Sequence, residues 1–501
     1  MKKFLAISIA LVLSLGITPS HAAAPKSGAS CTKIGQQQFA SGKQYTCVAK
    51  GSKKVWNSGQ VIAKYTPKGY AGGRCEKDSL VKSGQGAQIQ NYLAKIGICV
   101  KAMRIPESTL GLSKPKAELT DLSALASASM CKIENAEKSN SWKGFPPASR
   151  TQEFKTKRHP SPKTVMQIVP IYSVDAPMGK GSPSEDYKFY FDFIKQYFNY
   201  IDDSGGTFEL RVPDSYIKFP KAIGNYGITH GVDNDLAQNF VNDVVAAVDP
   251  LFDFKQITYT LIVVPAGTPS EILGQQGFGA AKSSDGLVTN ISTAQPATFT
   301  VAENNTKTRN MVMPTMWLHE FYHPGLNLGD NHAGDSFEYD DERGMGDWGL
   351  MSRNNGDLLA WQKWILGFVI DEQVRCVMPT SSVSYSWIAP SSMKTQKSKL
   401  VVVPLTKNKA IVVESIRATG LHYRLKSPSL GALAYVVDAG DTRHTYGYSV
   451  LYPDKRKPKF VTNLMEDAPL KVGESLTYEG VRITTVEWGE FGDVIKVEPV
   501  K

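Results

Sequence analysis

Several familiar chemistries are missing from this chain. Its six cysteines show no paired Cys-x-x-Cys spacing, which sets aside a structural zinc knuckle. There is no Gly-x-Ser-x-Gly elbow to present an activated serine, and no glycine-rich loop ending in Gly-Lys-Ser/Thr to cradle a phosphate. Beyond residue 22 no stretch approaches the roughly 18 apolar residues of a membrane span. Serine hydrolases of the elbow type, P-loop enzymes and membrane-spanning proteins are therefore not expected.

What is present begins with an export pattern. Lys2 and Lys3 precede an apolar run over residues 4–17, and Ser20-His21-Ala22 offers small residues at both cleavage-specifying positions. Residues 1–22 are expected to be a signal peptide and the mature protein to be secreted. Cys31, Cys47, Cys75, Cys99, Cys131 and Cys376 all follow that segment, and an even number in an exported chain suggests disulfides. Cys31 and Cys47 bracket a compact Gly- and Lys-rich unit ending in Trp56 and are expected to pair; the other partners stay open.

Charge is unevenly spread. Residues 22–160 hold about 23 Lys/Arg and about 8 Asp/Glu, about +15. The total is +10 and the signal adds about +2, leaving about −7 for residues 161–501. The basic arm suits electrostatic contact with an anionic cell surface, or is a solvated face. Export argues against nucleic acid.

Composition divides the chain further. Residues 23–65 suggest a small two-cysteine β module, with strands near 37–39, 44–48 and 54–56. Residues 66–145 suggest a mainly helical region, with Leu119, Leu122 and Leu125 at helical spacing over 116–129. Residues 146–163 are Pro-rich and basic and suggest a linker; Lys157 and Arg158 there also offer a processing site, which would make 23–158 a propeptide. From 164 to 371, strands at 165–171, 208–212 and 257–264 alternate with helices at 185–200 and 233–248, the latter with Asp233 as cap, and an edge strand is expected at 286–291. Residues 372–501 show short strands without a long helix and suggest a β-rich domain.

The chemistry lies at residues 313–332, MPTMWLHEFYHPGLNLGDNH. On a helix His319 and His323 stand one turn apart and can reach one metal ion, while Glu320 lies beside the first of them. Zinc takes imidazole nitrogen and in catalytic sites keeps a position open for water, which a neighbouring carboxylate can deprotonate. Pro324-Gly325 is expected to stop the helix directly after the second histidine. A third ligand is needed: His332 is the first choice, Asp330 the runner-up and Glu338 a distant third. Two turns and a helix follow in GMGDWGLMSRNNGDLLAWQKWILGF, where Met351 is either a hydrophobic floor beneath the metal or ordinary core.

HEFYH, GDWGLMS, AWQKWILGFV, VVESIR and LAYVVDAG follow one another in this order, and together they resemble the immune inhibitor A family of secreted bacterial metallopeptidases. The resemblance covers residues 164–500. It implies an α+β zincin-like catalytic domain of the metzincin kind, with a mixed sheet and an active-site helix. It also implies one catalytic zinc, endopeptidase action on protein or peptide substrates, and often structural calcium. By it His319 and His323 are ligands, Glu320 the general base and Met351 the Met-turn residue. The turn after His323 departs from the family pattern: an equal-length match places His332 at an acidic family position, a shifted one places Asp330 there. Asp335, Glu338, Asp340, Asp341, Glu342 and Asp347 form an acidic run that suits calcium or is a solvated loop. Tyr322, Tyr339 and Arg343 are candidate donors to an oxyanion. The competing expectations are a non-catalytic surface protein on a degenerate zincin scaffold and a hydrolase of cell-wall peptides.

Overall fold

The computed structural model describes residues 25–61, 114–152, 163–228, 235–294, 314–331 and 345–500. Within these ranges it leaves out 33, 35–36, 41–42, 59, 270, 354–356, 424, 426, 444–446 and 457–466. The chain divides into two compact units, one ending at Ile62 and one beginning at Ala63. Among the described residues no helix is long and apolar enough to cross a membrane.

The first unit is a small antiparallel sheet of β1 (Gln37–Ala40), β2 (Lys43–Lys50), β3 (Lys53–Trp56) and β4 (Gln60–Val61). A Cys31–Cys47 disulfide, as expected, closes over a core of Tyr45, Cys47 and Trp56. So few apolar residues bury little surface, and a covalent link is the usual supplement in so small a fold.

The second unit opens with the segment 114–152, which departs from expectation. Residues 116–129 form no α-helix; only short 3-10 turns occur, at Leu122–Ala124 and Ala128–Cys131. Asp121 and Ser127 cap those turns with their own side chains, and such local bonds compete with a helix. The leucines do not make a stripe either: Leu122 is 62% exposed and Leu119 40%.

A six-stranded sheet carries the α/β half. β5 (Lys163–Tyr172) is the longest strand and pairs with three others; it is followed by α1 (Lys188–Ile201), β6 (Thr207–Arg211), β7 (Ile217–Lys218), α2 (Asp235–Val248), β8 (Tyr259–Val263), β9 (Gln276–Ser283) and β10 (Gly286–Thr293). Asp233, the expected cap of α2, lies outside the described residues. The order is β6-β5-β8-β10-β9, with β7 also on β5. All pairs are parallel except β9 with β10. The expected edge strand at 286–291 is thus internal, because β9, whose Gly277 and Gly279 hide any alternation, takes the edge. α2 covers one face through Phe240, Val241, Val244 and Val248, which meet Val169, Ile171 and Ile262. The other face receives α1 and then α3 (Pro314–Leu326), where Phe321 sits on Tyr259 and Phe198 with ring centroids 4.3 and 5.4 Å apart.

Two short helices follow, α4 (Leu350–Arg353) and α5 (Ala360–Leu366), the latter wholly buried. Beyond them two sheets face each other. One has the order β11-β13-β14-β15-β16, from β11 (Val374–Cys376), β13 (Leu400–Thr406), β14 (Lys409–Ile416), β15 (Gly431–Asp438) and β16 (Tyr448–Val450). The other has the order β12-β19-β18-β17, from β12 (Ser384–Ile388), β17 (Ser475–Tyr478), β18 (Val481–Gly489) and β19 (Gly492–Pro499). Val401, Val403, Ile411 and Val413 from the first meet Ile483, Ile495 and Val497 from the second in one core. The second unit is therefore a mixed α/β structure continuing into a β-rich half.

Candidate metal centre

α3 is buried along most of its length, with Pro314–Tyr322 all shielded from solvent. Trp317 packs on Tyr190 and Tyr187, at 4.4 and 5.2 Å between ring centroids, and Met316, Leu318 and Phe321 are buried beside it. With that face fixed, His319 and His323 present their rings together, one turn apart. Pro324 does not stop the helix as expected. It removes the N–H that would reach the Glu320 carbonyl, but it stands in the last turn, where one lost bond ends nothing. The helix ends at Leu326, and Asn327 takes a left-handed conformation (φ 54°). Asn327 N–H then donates to His323 O at 2.9 Å, and Leu328 N–H to Tyr322 O at 3.0 Å.

That turn sets the chemistry of the second imidazole. His323 Nδ1 lies 2.8 Å from the Leu328 carbonyl, and His319 Nδ1 lies 3.0 Å from the Leu350 carbonyl. A carbonyl only accepts, so each Nδ1 carries its proton and each Nε2 keeps a bare lone pair in the neutral ring. The two Nε2 atoms face each other at 2.9 Å. Asp330 Oδ1 closes the triangle, 3.0 Å from His319 Nε2 and 3.4 Å from His323 Nε2. Three electron-rich atoms converge with no hydrogen between them in the neutral state, an arrangement that a cation relieves. Burial pulls the His323 imidazole down, yet the Asp330 carboxylate, then Glu320 and the Leu328 carbonyl, push it up to about 9. The local field therefore favours positive charge at this point.

Asp330 is positioned by a loop pinned at both sides. Asn331 N–H donates to Met351 O at 2.7 Å, and Met345 N–H returns to Asn331 O at 2.8 Å. The turn that carries Met351 and the Leu350 carbonyl rests in its turn on the β-rich half. Trp348 Nε1 donates to Ser429 O at 3.0 Å, and His422 Nε2 meets Trp348 O at 3.1 Å. Met351 is fully buried in this turn. Leu350 N–H reaches Asp357 O at 2.8 Å, and the Asp357 carboxylate is paired with buried Lys363.

Glu320 is 6% exposed and lies close enough to His323 and to Tyr259 to act on both through its field. Tyr322 is fully buried with Tyr197, Asp202 and Asp357 around it, so its hydroxyl belongs to the interior and not to a substrate cleft. His332, Asp335, Glu338, Tyr339, Asp340, Asp341, Glu342 and Arg343 lie outside the described residues. Asp347 sits half-buried in the 3-10 turn Gly346–Trp348. Among the described residues, His319, His323 and Asp330 are the group whose ligand atoms gather within 4.8 Å. Two imidazole nitrogens and one carboxylate oxygen suit zinc and neighbouring divalent ions. Sequence reasoning had no means of finding the Leu328 and Leu350 carbonyls, because a backbone acceptor leaves no mark in residue type. No protein-family model matches the chain, nor does any curated protein or solved structure.

Proposed function

We propose that this protein is an exported zinc-dependent endopeptidase with a zincin-like α/β half, in which His319, His323 and Asp330 hold the metal and Glu320 is the general base. The observation that carries this reading is the convergence of two imidazole Nε2 atoms from one helix with the Asp330 carboxylate, beside the buried Glu320. When bound, zinc supplies a Lewis acid that acidifies water and polarises a peptide carbonyl. Leu350 and Leu328 fix the tautomers of the two ligand rings, and Asp330 contributes the negative charge that balances the site. Glu320 takes the proton of the attacking water at its carboxylate and hands it to the departing amine. Its burial keeps that charge unscreened and correspondingly effective. The disulfides Cys31–Cys47 and Cys131–Cys376 suit an oxidising compartment, in keeping with export.

The test is metal content of the purified protein with casein hydrolysis assayed beside it, with and without a chelator. One zinc per chain and chelator-sensitive cleavage are expected. Glu320→Ala should abolish turnover with zinc retained, and unchanged proteolysis in that variant ends the mechanism. Asp330→Ala should weaken zinc by more than the roughly 10–100-fold that outer-shell partners cost. Full zinc affinity in that variant would transfer the third-ligand role to His332.

A further inference from the structure

The small N-terminal unit has a charge pattern that its own folding does not explain. Between residues 25 and 61 the charged side chains are Lys26, Lys33, Lys43, Lys50, Lys53 and Lys54, with no aspartate, glutamate or arginine among them. Three of these stand together at the tip of the β2–β3 hairpin. Lys50 is directly opposite Lys53 in the antiparallel register, and Lys54 follows on the other face, opposite Ala49. Lys26, Lys50, Lys53 and Lys54 are all exposed. Like charges directly across a strand pair destabilise it, and this unit has no acid to offset them. The turn between them is Gly51-Ser52, with Gly51 left-handed (φ 60°) and open space where a Cβ would stand. The tip is thus narrow and cationic.

The rest of the module narrows the partner. Of the module's aromatic rings, Tyr45 and Trp56, whose surroundings are described, are buried with the Cys31–Cys47 disulfide, so neither of these two is free to stack on a base or to anchor at a membrane interface. The cations are all lysines, which are point charges on flexible stems and lack the planar fork that reads carboxylate or phosphate geometry. Such a surface responds to charge density and not to shape.

We propose that residues 25–61 form a docking module for a flexible phosphodiester polymer of the cell-envelope kind, held at the Lys50-Lys53-Lys54 hairpin tip. The polymer needs closely spaced phosphates and no bases. This function is separate from the metal centre and does not depend on it.

The experiment uses the full mature chain and long-chain inorganic polyphosphate as probe, with affinity measured across a salt series. A triple variant, Lys50→Gln, Lys53→Gln and Lys54→Gln, is compared with Lys138→Gln, Lys180→Gln and Lys218→Gln, which removes the same charge elsewhere. Intact mass checks that Cys31–Cys47 remains closed in both. The hairpin variant should bind at least tenfold more weakly, and its slope of log K against log salt should fall by about 2, the release expected from three lost phosphate contacts. The second-unit variant should change neither value appreciably. Equal losses in the two variants would reduce the effect to net charge and overturn the proposal. So would tighter binding, at matched phosphate concentration, to single-stranded DNA or to anionic phospholipid vesicles than to polyphosphate.

Discussion

His422 shows how one side chain beneath the candidate centre couples the molecule to pH. It is buried against the Trp348 carbonyl, and burial pulls its imidazole down to about 4 although Asp357 pushes the other way. An unfolded histidine titrates near 6.5, so below that value the unfolded chain takes up a proton that the folded chain refuses. The folded state therefore keeps its full advantage above about pH 6.5 and loses it as pH falls towards 4, by about 2 kcal/mol at pH 5. Melting temperature measured from pH 7 to pH 4.5 should fall more steeply in the natural protein than in His422→Gln. Parallel curves would show that this histidine carries none of the effect. The same scale shows what residue types could reveal. HEFYH marks two candidate ligands because helical spacing alone brings His319 and His323 to one side, with Glu320, the candidate base, next to the first of them. The placing of Asp330 beside the two imidazoles depends on how residues 324–331 turn, and that turn is set by the left-handed Asn327 and by backbone bonds to Met345 and Met351. None of these is written in side-chain chemistry.

Among the elements, the segment 114–152 departs furthest from its expected role. It lacks the expected α-helix over 116–129, yet it is bound along its length. Lys116 and Ala117 N–H groups meet the Glu487 carboxylate on β18, and Thr120 pairs with Tyr385 on β12. Cys131 is joined to Cys376 at the end of β11, and Phe145 packs on Trp364 and Trp361 of α5 at 4.8 and 5.8 Å. Trp142 N–H donates to Asn327 O at 2.7 Å, which ties this segment to the end of α3 itself. A propeptide must leave, and this segment is held by a disulfide and by buried aromatic packing. Cleavage within 153–162 should therefore give two fragments that stay together. With a specific protease site placed there, the pieces should migrate as one species without reductant, separate on a reducing gel, and co-elute under native conditions even in mild reductant. Release of the N-terminal piece with zinc still bound to the remainder would restore the propeptide reading. Local sequence misled here because capped 3-10 turns and a helix both tolerate leucines spaced three apart; what fixes the segment is its pairing with residues more than two hundred positions away. The strands at 165–171 and 257–264 were legible for the opposite reason, since each is a mostly apolar run that must be covered on both faces.

At the scale of the whole molecule, the question is whether the α/β half and the β-rich half behave as two bodies. Composition suggested a boundary near 372, but the contacts across it are buried and ionic. Lys399, at the start of β13's neighbourhood, pairs with Asp203 beyond α1 at 3.2 Å, both nearly inaccessible to water. Burial lowers the lysine's affinity for its proton while Asp203 raises it. Asp203 also accepts from Thr395 N–H and Gln373 Nε2, at 3.0 and 3.2 Å, so the carboxylate is fully engaged only when the two halves are together. Asp357–Lys363 lies nearby, with Lys363 donating to Ser391 O at 3.0 Å. Removing one member of such a pair strands the other, at a cost of about 3–5 kcal/mol, whereas removing both charges costs far less. Lys399→Met should therefore lower the main calorimetric transition by several degrees, and adding Asp203→Asn should recover much of the loss. Because the pair spans the boundary, the transition should shift without splitting. A separate, earlier transition confined to the α/β half of Lys399→Met would mean that the halves fold independently, and that the Trp348 and Leu350 contacts beneath the metal centre must then be maintained without help from the β-rich half.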